Sequence, residues 1–261
     1  MQRLPSRPPA KIFRTRPILH GLARVLSKLG ICSRTQAEEL IRAGRVSLDG
    51  KVIRDPQFPI ASDRQGIAVD GHAVKSVDYA YVAFNKPRGL VVSAADEKGR
   101  DTIYMAMAGA GLPWLGPVGR LDKASEGLLL LSNDTMWAAG ITDPASHLDK
   151  TYHVQVAGLP DAAAFAAMLA GVDDDGERLK ARQATLLRAG EKNAWIEVVL
   201  DEGRNRHIRR LMTALGHDVL RLVRVAIGPL PLGELAKGQW RRLSEDEVSA
   251  LDSRRRTSPC A

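Results

Sequence analysis

Cysteine is nearly absent from the chain: there are two cysteines, Cys32 and Cys260, among 261 residues. Two thiols without a partner spacing argue against a disulfide framework and against a cysteine-based zinc site. Such usage is typical of a reducing compartment, so we expect a cytoplasmic protein. Long apolar runs are also missing, since no segment approaches the roughly 18 residues that a membrane span requires. We therefore expect no membrane association.

The sequence also lacks the common signatures of bound cofactors. Neither a P-loop nor a G-x-G-x-x-G fingerprint occurs, which argues against a nucleotide cofactor. The six histidines show no metal-pair spacing, and the acidic run at 173–175 lacks the ligand spacing of a calcium loop. We expect no cofactor and no metal.

Acidic residues are absent from residues 1–37, which carry eight of the 38 lysines and arginines. The remaining 30 basic residues balance the 30 acidic ones, so residues 38–261 are neutral overall. A charge excess concentrated in this way suits a polyanionic partner, most simply nucleic acid. Residues 1–19 are rich in proline and arginine, and we expect them to form a disordered basic arm.

Residues 20–76 have the pattern of a compact domain with two helices and two hairpins. Apolar residues from Leu22 to Leu29 recur at helical spacing, and Ser33 with Gln36 forms a capping box for a second helix. Two Asp-Gly pairs, at 49–50 and 70–71, each predict a tight turn between short strands.

Several basic side chains of this domain lie away from its apolar positions and could form one phosphate-binding face. An ordinary solvated helix surface explains the same pattern equally well. The candidate RNA-binding residues are Arg24, Lys28, Arg34, Arg42, Arg45 and Lys51.

Residues 79–250 have a different texture, in which strands outnumber helices without a regular βαβ alternation. The segment 79–93 predicts a strand, a Lys-Pro turn and a second strand, and "GLLLLS" predicts a buried strand. These patterns favour an α+β domain with a mixed, mainly antiparallel sheet and flanking helices. Residues 251–261 are predicted to be a flexible tail.

Three segments of this domain carry residues suited to chemistry. Asp122 stands in "GRLDKASEGLLLL", Tyr152 stands in "KTYHV", and several arginines begin the helix "EGRNRHIRR". Taken singly, the aspartate could be a turn residue, the tyrosine a half-buried strand aromatic, and the helix face simply solvated.

Taken together, these segments resemble the motifs of RNA pseudouridine synthases, and more narrowly the RsuA-like ribosomal branch. "NKPRGLVVS" is similar to the first motif of that family, and residues 20–76 resemble its N-terminal S4 RNA-binding domain. The resemblance runs through residues 20–248 in the expected order. Two positions depart from the family pattern: His207 replaces the usual glutamine, and Ala124 replaces a polar or acidic residue.

The resemblance implies a reaction that detaches uracil from its ribose, rotates it and reattaches it through C5, with no cofactor or metal. Asp122 would act as the nucleophile or as a base at the sugar, paired with Arg209. Tyr152 would stack on the flipped base. Further RNA contacts implied by the resemblance are Arg120, which would fill the space left by the base, and Lys86, Arg204 and Arg206.

The resemblance also implies a ribosomal partner, either ribosomal RNA or an assembly intermediate. The segment "ASEGLLLLSND" slightly favours large-subunit over small-subunit RNA. We expect a monomer. Two alternatives remain at this point: a ribosome-assembly factor with vestigial catalysis, and a basic structural protein associated with the ribosome.

Overall fold

The computed structural model describes residues 19–61, 66–75, 78–93 and 100–252. It divides the chain into two compact units, residues 1–75 and 76–261. Most of the predicted basic arm and of the predicted tail lies outside the described residues. No helix in the described ranges is long and apolar enough to cross a membrane.

The first unit consists of two helices and six short strands within the described residues. Its core is formed by the apolar faces of both helices, including Leu22, Leu26 and Ile41, together with Val46 and Ile67 from the strands. The elements are β1 Leu19–Gly21, α1 Leu22–Lys28, α2 Arg34–Arg42, β2 Val46–Leu48, β3 Lys51–Ile53, β4 Pro59–Ala61, β5 Ile67–Val69 and β6 His72–Ala73.

Local sequence explains the ends of these elements. Ser33 accepts a hydrogen bond from the Gln36 N–H while the Gln36 side chain accepts one from the Ser33 N–H, so the predicted capping box is present. Asp49 and Gly50 both adopt positive φ, at 48° and 80°, as a type I′ hairpin turn requires. The predicted hairpin β2–β3 is confirmed.

The second unit contains the longer strands and the remaining helices. A short 3-10 helix, Pro144–Ser146, precedes its longest antiparallel pairings. The elements are β7 Tyr81–Lys86, α3 Ile103–Ala106, β8 Gly116–Val118, β9 Glu126–Ser132, α4 Thr135–Thr142, β10 Lys150–Ala157, α5 Ala162–Ala170, β11 Val172–Asp174, β12 Glu177–Leu179, β13 Gln183–Ala189, β14 Asn193–Leu200, α6 His207–Ala214, β15 Val219–Ile227, β16 Leu230–Pro231, β17 Trp240–Arg242 and α7 Glu245–Leu251.

The principal sheet of this unit has the strand order β13-β14-β10-β15-β9-β7-β17 in the described residues. Strands β15 and β9 are parallel, whereas the other neighbours in this order are antiparallel. The predicted α+β class with a mixed, mainly antiparallel sheet is therefore confirmed. The parallel pair lies near the middle of the sheet.

The run of leucines in β9 is explained by burial on both faces of the sheet. Leu128 and Leu130 belong to one core cluster, and Leu129 and Leu131 belong to the cluster on the other face. Because successive strand residues point to opposite faces, a strand covered on both sides must be continuously apolar.

Three sequence predictions about the extent of elements are wrong. The second strand expected after the Lys-Pro turn does not form in the described residues, where Val91 makes only an isolated bridge to Thr102. The predicted tail begins too early, since Leu251 ends α7 and is fully buried. Likewise Leu19, assigned to the disordered arm, pairs with Ala61 in β1.

Candidate active site

Asp122 lies in the loop of residues 119–125 between β8 and β9, which we call the Asp122 loop. Its carbonyl oxygen accepts a hydrogen bond from the Ser125 N–H at 2.9 Å, which closes a turn. The preceding Leu121 is buried in the core, whereas Asp122 itself is half-buried. The turn thus places the Asp122 carboxylate at the edge of the apolar core.

A second carboxylate of the same motif, Glu126, has a different environment. It is 3% exposed and is bound by Arg221 at 2.7 and 3.0 Å and by Lys237 at 2.6 Å. Hydrogen bonding to Arg221, and secondarily to Lys237, lowers the pKa of Glu126 to about 2 against the opposing effect of burial. Asp122 forms no ion pair with any described residue, so it is the carboxylate that remains available for chemistry.

Lys86 was predicted to contact RNA, but the structure buries it. It is 0% exposed, and its ammonium donates to the carbonyls of Ser125 at 2.8 Å and of Asp122 and Pro87 at 3.2 Å each. Burial lowers its pKa to about 8, although Asp122 and Glu126 act in the opposite direction. Three donors matched to three carbonyls make Lys86 a support of the Asp122 loop rather than a surface group.

Arg209 supports the same loop from helix α6. Its guanidinium donates to the Ala124 carbonyl at 3.2 Å and to the Val219 carbonyl at 3.1 Å. No direct ion pair with Asp122 forms in the described part of the chain, so the expected pairing is not present in this structure. Burial and then Arg206 lower the pKa of Arg209, whereas the Asp122 charge opposes that shift. Arg209 therefore supports the Asp122 loop through the Ala124 carbonyl rather than through the carboxylate.

Arg224 on β15 is a third cation that holds this region. Its side chain is buried and donates to the Leu128 carbonyl at 2.7 Å and to the Arg120 carbonyl at 3.5 Å. The strands approach closely here because Gly127 is opposite Arg224: a Cβ on Gly127, which has φ +100°, would lie 2.2 Å from the Arg224 carbonyl oxygen. Only glycine fits that approach.

Tyr152 is placed by strand β10 and by an irregularity in its pairing with β15. Thr151 pairs with Ala226 but Tyr152 pairs with Arg224, so one residue of β15 is left over as a bulge. Bulges re-aim side chains and are common beside active sites. Tyr152 is half-buried and packs against two core clusters.

A pocket of about 420 Å³ brings together five of the seven predicted site residues of the second unit. It lies in the second unit, between the Asp122 loop, strands β10 and β15, and residues 200–208. Its volume is in the range of small-molecule sites. The predicted site residues that line it are Arg120, Asp122, Tyr152, Arg204 and Arg206.

The predicted cations in this pocket differ in their availability. Arg204 binds Glu202 at 3.0 Å and lies 3.7 Å from Glu177, so its charge is partly committed. Arg120 and Arg206 are exposed and form no ion pair with a described residue. Arg206 also has positive φ, 50°, where the chain turns into α6.

Three further lining residues were missed by the sequence reasoning: Lys150, His207 as a pocket residue, and Arg224. The sequence did point to Arg224, because an arginine is unusual within a strand that is otherwise apolar, "LVRVAI". Its position beside Tyr152 depends on a register that the sequence does not encode locally. Within the described residues, no group of three or more His, Cys, Asp or Glu side chains is arranged to hold a metal ion.

Comparison with known proteins decides the family. The profile of the RNA pseudouridylate synthase family matches residues 80–214, which include Asp122, Tyr152 and Arg209. The chain belongs to this family. The synthase is therefore an isomerase that acts on RNA.

Related proteins agree along most of the chain. An uncharacterized RNA pseudouridine synthase of Aquifex aeolicus is 36% identical over 87% of this chain and 92% of its own length. The ribosomal large subunit pseudouridine synthase B of Bacillus subtilis is 34% identical over 89% of this chain and 96% of its own length. A crystal structure of a pseudouridylate synthase, 30% identical, matches with a TM-score of 0.61 and covers 89% of this chain and 99% of that one.

The profile of the S4 domain matches residues 21–65, in the first unit of the synthase. Its six candidate RNA-binding cations are not equivalent. Arg34 and Arg42 both pair with Glu38, and Arg45 forms a two-point contact with Asp70. Arg24 and Lys51 are exposed, Lys28 is half-buried, and none of these three forms an ion pair with a described residue. Of the six candidates, these three have the most charge available for phosphates.

His207 gives the synthase a predicted sensitivity to acid. Its imidazole is buried, neither ring nitrogen has a hydrogen-bond partner of normal geometry among the described residues, and Glu202 lies 3.8 Å away. Burial lowers the pKa of His207 from its ordinary value of 6.5. In the unfolded chain the imidazole protonates near that ordinary value, so the unfolded state binds more protons as the pH falls below it.

We therefore expect the melting temperature to fall between about pH 7.5 and about pH 5 partly through this residue. Thermal melts of the wild type and of His207→Gln across this range test the prediction. The variant, in which an uncharged amide replaces the imidazole, should lose less stability on acidification. Parallel curves for the two proteins would contradict it.

Proposed function

We propose that the synthase converts a specific uridine of ribosomal RNA to pseudouridine, with large-subunit RNA favoured. The observation that carries this proposal is a pocket in which Asp122 and Tyr152 lie near Arg120 and Arg206, which form no ion pair with a described residue. Such cations suit the phosphates of an RNA backbone. The printed name of the Bacillus subtilis relative, a large-subunit synthase, supports the choice of RNA. A ribosomal RNA substrate would place the synthase in the cytoplasm. We also predict that the synthase is a monomer.

In the proposed mechanism the target uridine leaves its stack and enters the pocket, which costs a few kcal/mol for a base in a helix. Arg120, exposed at the pocket, would occupy the space that the base leaves. Tyr152 would stack on the flipped uracil, since aromatic side chains commonly hold unstacked bases in RNA recognition.

Asp122 would then act at the junction of ribose and base, as the nucleophile or as a base at the sugar. The bond from C1′ to N1 breaks, the uracil rotates, and a bond from C1′ to C5 forms. The C5 proton leaves, N1 gains a proton, and the product is an isomer of the substrate. Tyr152, on strand β10 in the wall of the same pocket, would assist removal of the C5 proton.

The supports of the Asp122 loop fit this role. Lys86, Arg209 and Arg224 donate to loop or adjacent β9 carbonyls from three separate elements of the fold. A reacting group held by several rigid elements keeps its geometry through the reaction. The Asp122 carboxylate itself forms no ion pair with a described residue, so these contacts hold the loop and leave the reacting group free.

Release of tritium tests the proposed reaction directly. Ribosomal RNA transcribed with uridine tritiated at C5 should lose label to water when incubated with the synthase, because the new bond forms at that carbon. Large-subunit RNA is expected to release one equivalent per molecule and small-subunit RNA none. The same release from both RNAs, or from neither, would contradict the proposal.

Deletion of residues 1–76 is expected to weaken RNA binding and to flatten its dependence on salt. The S4 domain carries Arg24, Lys28 and Lys51, and each phosphate contact with single-stranded RNA contributes about 0.7 to the slope of log K against log salt concentration. Binding of the full chain and of the deleted chain, each at several salt concentrations, measures the two slopes. Equal slopes would show that this part of the chain makes no phosphate contacts.

A further inference from the structure

Arg224 has more hydrogen-bonding capacity than the fold uses. It is 5% exposed, and its Nε and Nη1 donate to backbone carbonyls, but its buried Nη2 has no partner among the described residues. A buried donor without a partner is costly, so such a group in a pocket wall indicates a missing acceptor. No carboxylate in the described residues lies within ion-pairing distance of this guanidinium.

The register of the sheet puts Arg224 beside Tyr152. The two residues are a direct cross-strand pair of β15 and β10, so their side chains share one face and their Cβ atoms are about 5 Å apart. On the other side of Arg224 stands Gly127, which has no side chain. The side chains of Arg224 and Tyr152 therefore lie on one face of the sheet, and both residues line the pocket.

Lys150 joins this pair from the same strand as Tyr152. Residues two apart on a strand point to the same face and lie about 6.6 Å apart along it, and both residues line the pocket. Burial and then the charge of Arg224 lower the pKa of Lys150, against the opposing effects of Asp149 and Asp201. Two cations that repel each other on one wall suit an anion between them.

We infer that Lys150 and Arg224 form a phosphate subsite, which holds the phosphate of the nucleotide whose base stacks on Tyr152. The inference rests on the proposed uridine site and adds to it the group that fixes the backbone of the flipped nucleotide. Arginine suits this task because its planar fork binds phosphate oxygens at two points, and lysine adds a mobile charge. Arg120 and Arg206 are more exposed and would contact backbone further out.

Nucleotide binding to the full chain tests the subsite. Uridine, uridine 3′-monophosphate and uridine 5′-monophosphate are titrated separately and followed by ligand-observed NMR. The wild type should bind at least one monophosphate about tenfold more tightly than uridine, as expected for charge-assisted hydrogen bonds. Lys150→Gln should reduce this preference to about twofold or less while leaving the Kd of uridine unchanged.

Two further variants keep the test decisive. Lys150→Arg retains the charge and should restore the preference for the monophosphate. Lys192→Gln removes an exposed lysine that does not line the pocket, and it should leave all dissociation constants unchanged. Circular dichroism and thermal melts verify that each variant is folded. A preference that persists in Lys150→Gln, or that is absent from the wild type, would overturn the subsite.

Inorganic phosphate separates a nucleotide subsite from a general anion site. It should compete with the monophosphate only weakly, because it lacks the stacking contribution of the base. Phosphate that binds as tightly as the nucleotide would contradict a subsite coupled to Tyr152. The proposed function is judged separately by tritium release: release without a monophosphate preference rejects the subsite alone, and a preference without release rejects the ribosomal RNA reaction alone.

Discussion

Asp122→Asn is expected to lower the rate of isomerisation by about a thousandfold or more, since the amide can serve neither as nucleophile nor as base. The substitution keeps the size of the side chain, and Asp122 forms no ion pair with a described residue that would be lost. RNA affinity should therefore stay within about twofold of the wild type. Tritium release gives the rate, and filter binding to the same RNA gives the affinity.

The matched control is Asp175→Asn, the same chemical change at an exposed turn in the same unit. Asp175 has φ 49°, a conformation that asparagine adopts readily, and it does not line the pocket. This variant should match the wild type in rate and in affinity. Substantial residual release by Asp122→Asn would exclude the catalytic role of the carboxylate. A loss of RNA binding in that variant would instead make Asp122 a binding residue.

Lys86→Met is expected to lower the free energy of unfolding by about 2–4 kcal/mol and to reduce turnover strongly. Methionine fills a similar volume but leaves the carbonyls of Pro87, Asp122 and Ser125 without the ammonium that they now share. The loss is partly offset because a buried charge is also removed. Urea unfolding gives the stability, and tritium release at a temperature where the variant is folded gives the rate.

The control for this variant is Lys123→Met, an exposed lysine of the same loop whose side chain forms no hydrogen bond with a described residue. Its stability should lie within about 0.5 kcal/mol of the wild type. Equal stability losses in the two variants would contradict the role assigned to the buried ammonium.

The buried Lys86 also predicts how stability depends on alkaline pH. Its pKa is about 8 in the fold against an ordinary value of 10.5. Between these two values the unfolded state binds more protons than the folded state, so the contribution of this residue to stability rises with pH. The stability difference between wild type and Lys86→Met should therefore grow from about pH 8 upward, by at most about 1.4 kcal/mol per pH unit.

Features of the fold that depend on neighbouring residues could be predicted from the sequence. The capping box at Ser33 and the turn at Asp49 and Gly50 each involve groups within three residues of one another. Their hydrogen bonds and backbone angles are decided locally. The buried strand β9 was also predicted, because a strand covered on both faces leaves a continuous apolar run.

Features of the site that depend on distant residues could not be predicted. The motif with Lys86 reads as a basic surface turn, and only the packing of β7 against β9 buries the ammonium beneath the Asp122 loop. The expected direct pair of Asp122 with Arg209 is replaced by contacts of the guanidinium to backbone carbonyls. The position of Arg224 beside Tyr152 results from a bulge between two strands about 70 residues apart, which no local pattern records.

Mapping of pseudouridine tests whether the synthase isomerises one uridine of ribosomal RNA and whether Asp122 is required. Unmodified large- and small-subunit RNAs are incubated with the full chain or with Asp122→Asn, labelled with carbodiimide and read by primer extension. We expect a single stop, in the large-subunit RNA, that is absent with the variant. A stop that also appears with Asp122→Asn would contradict the catalytic role of Asp122. The absence of a stop in both free RNAs and also in ribosomal assembly particles would contradict the proposed reaction.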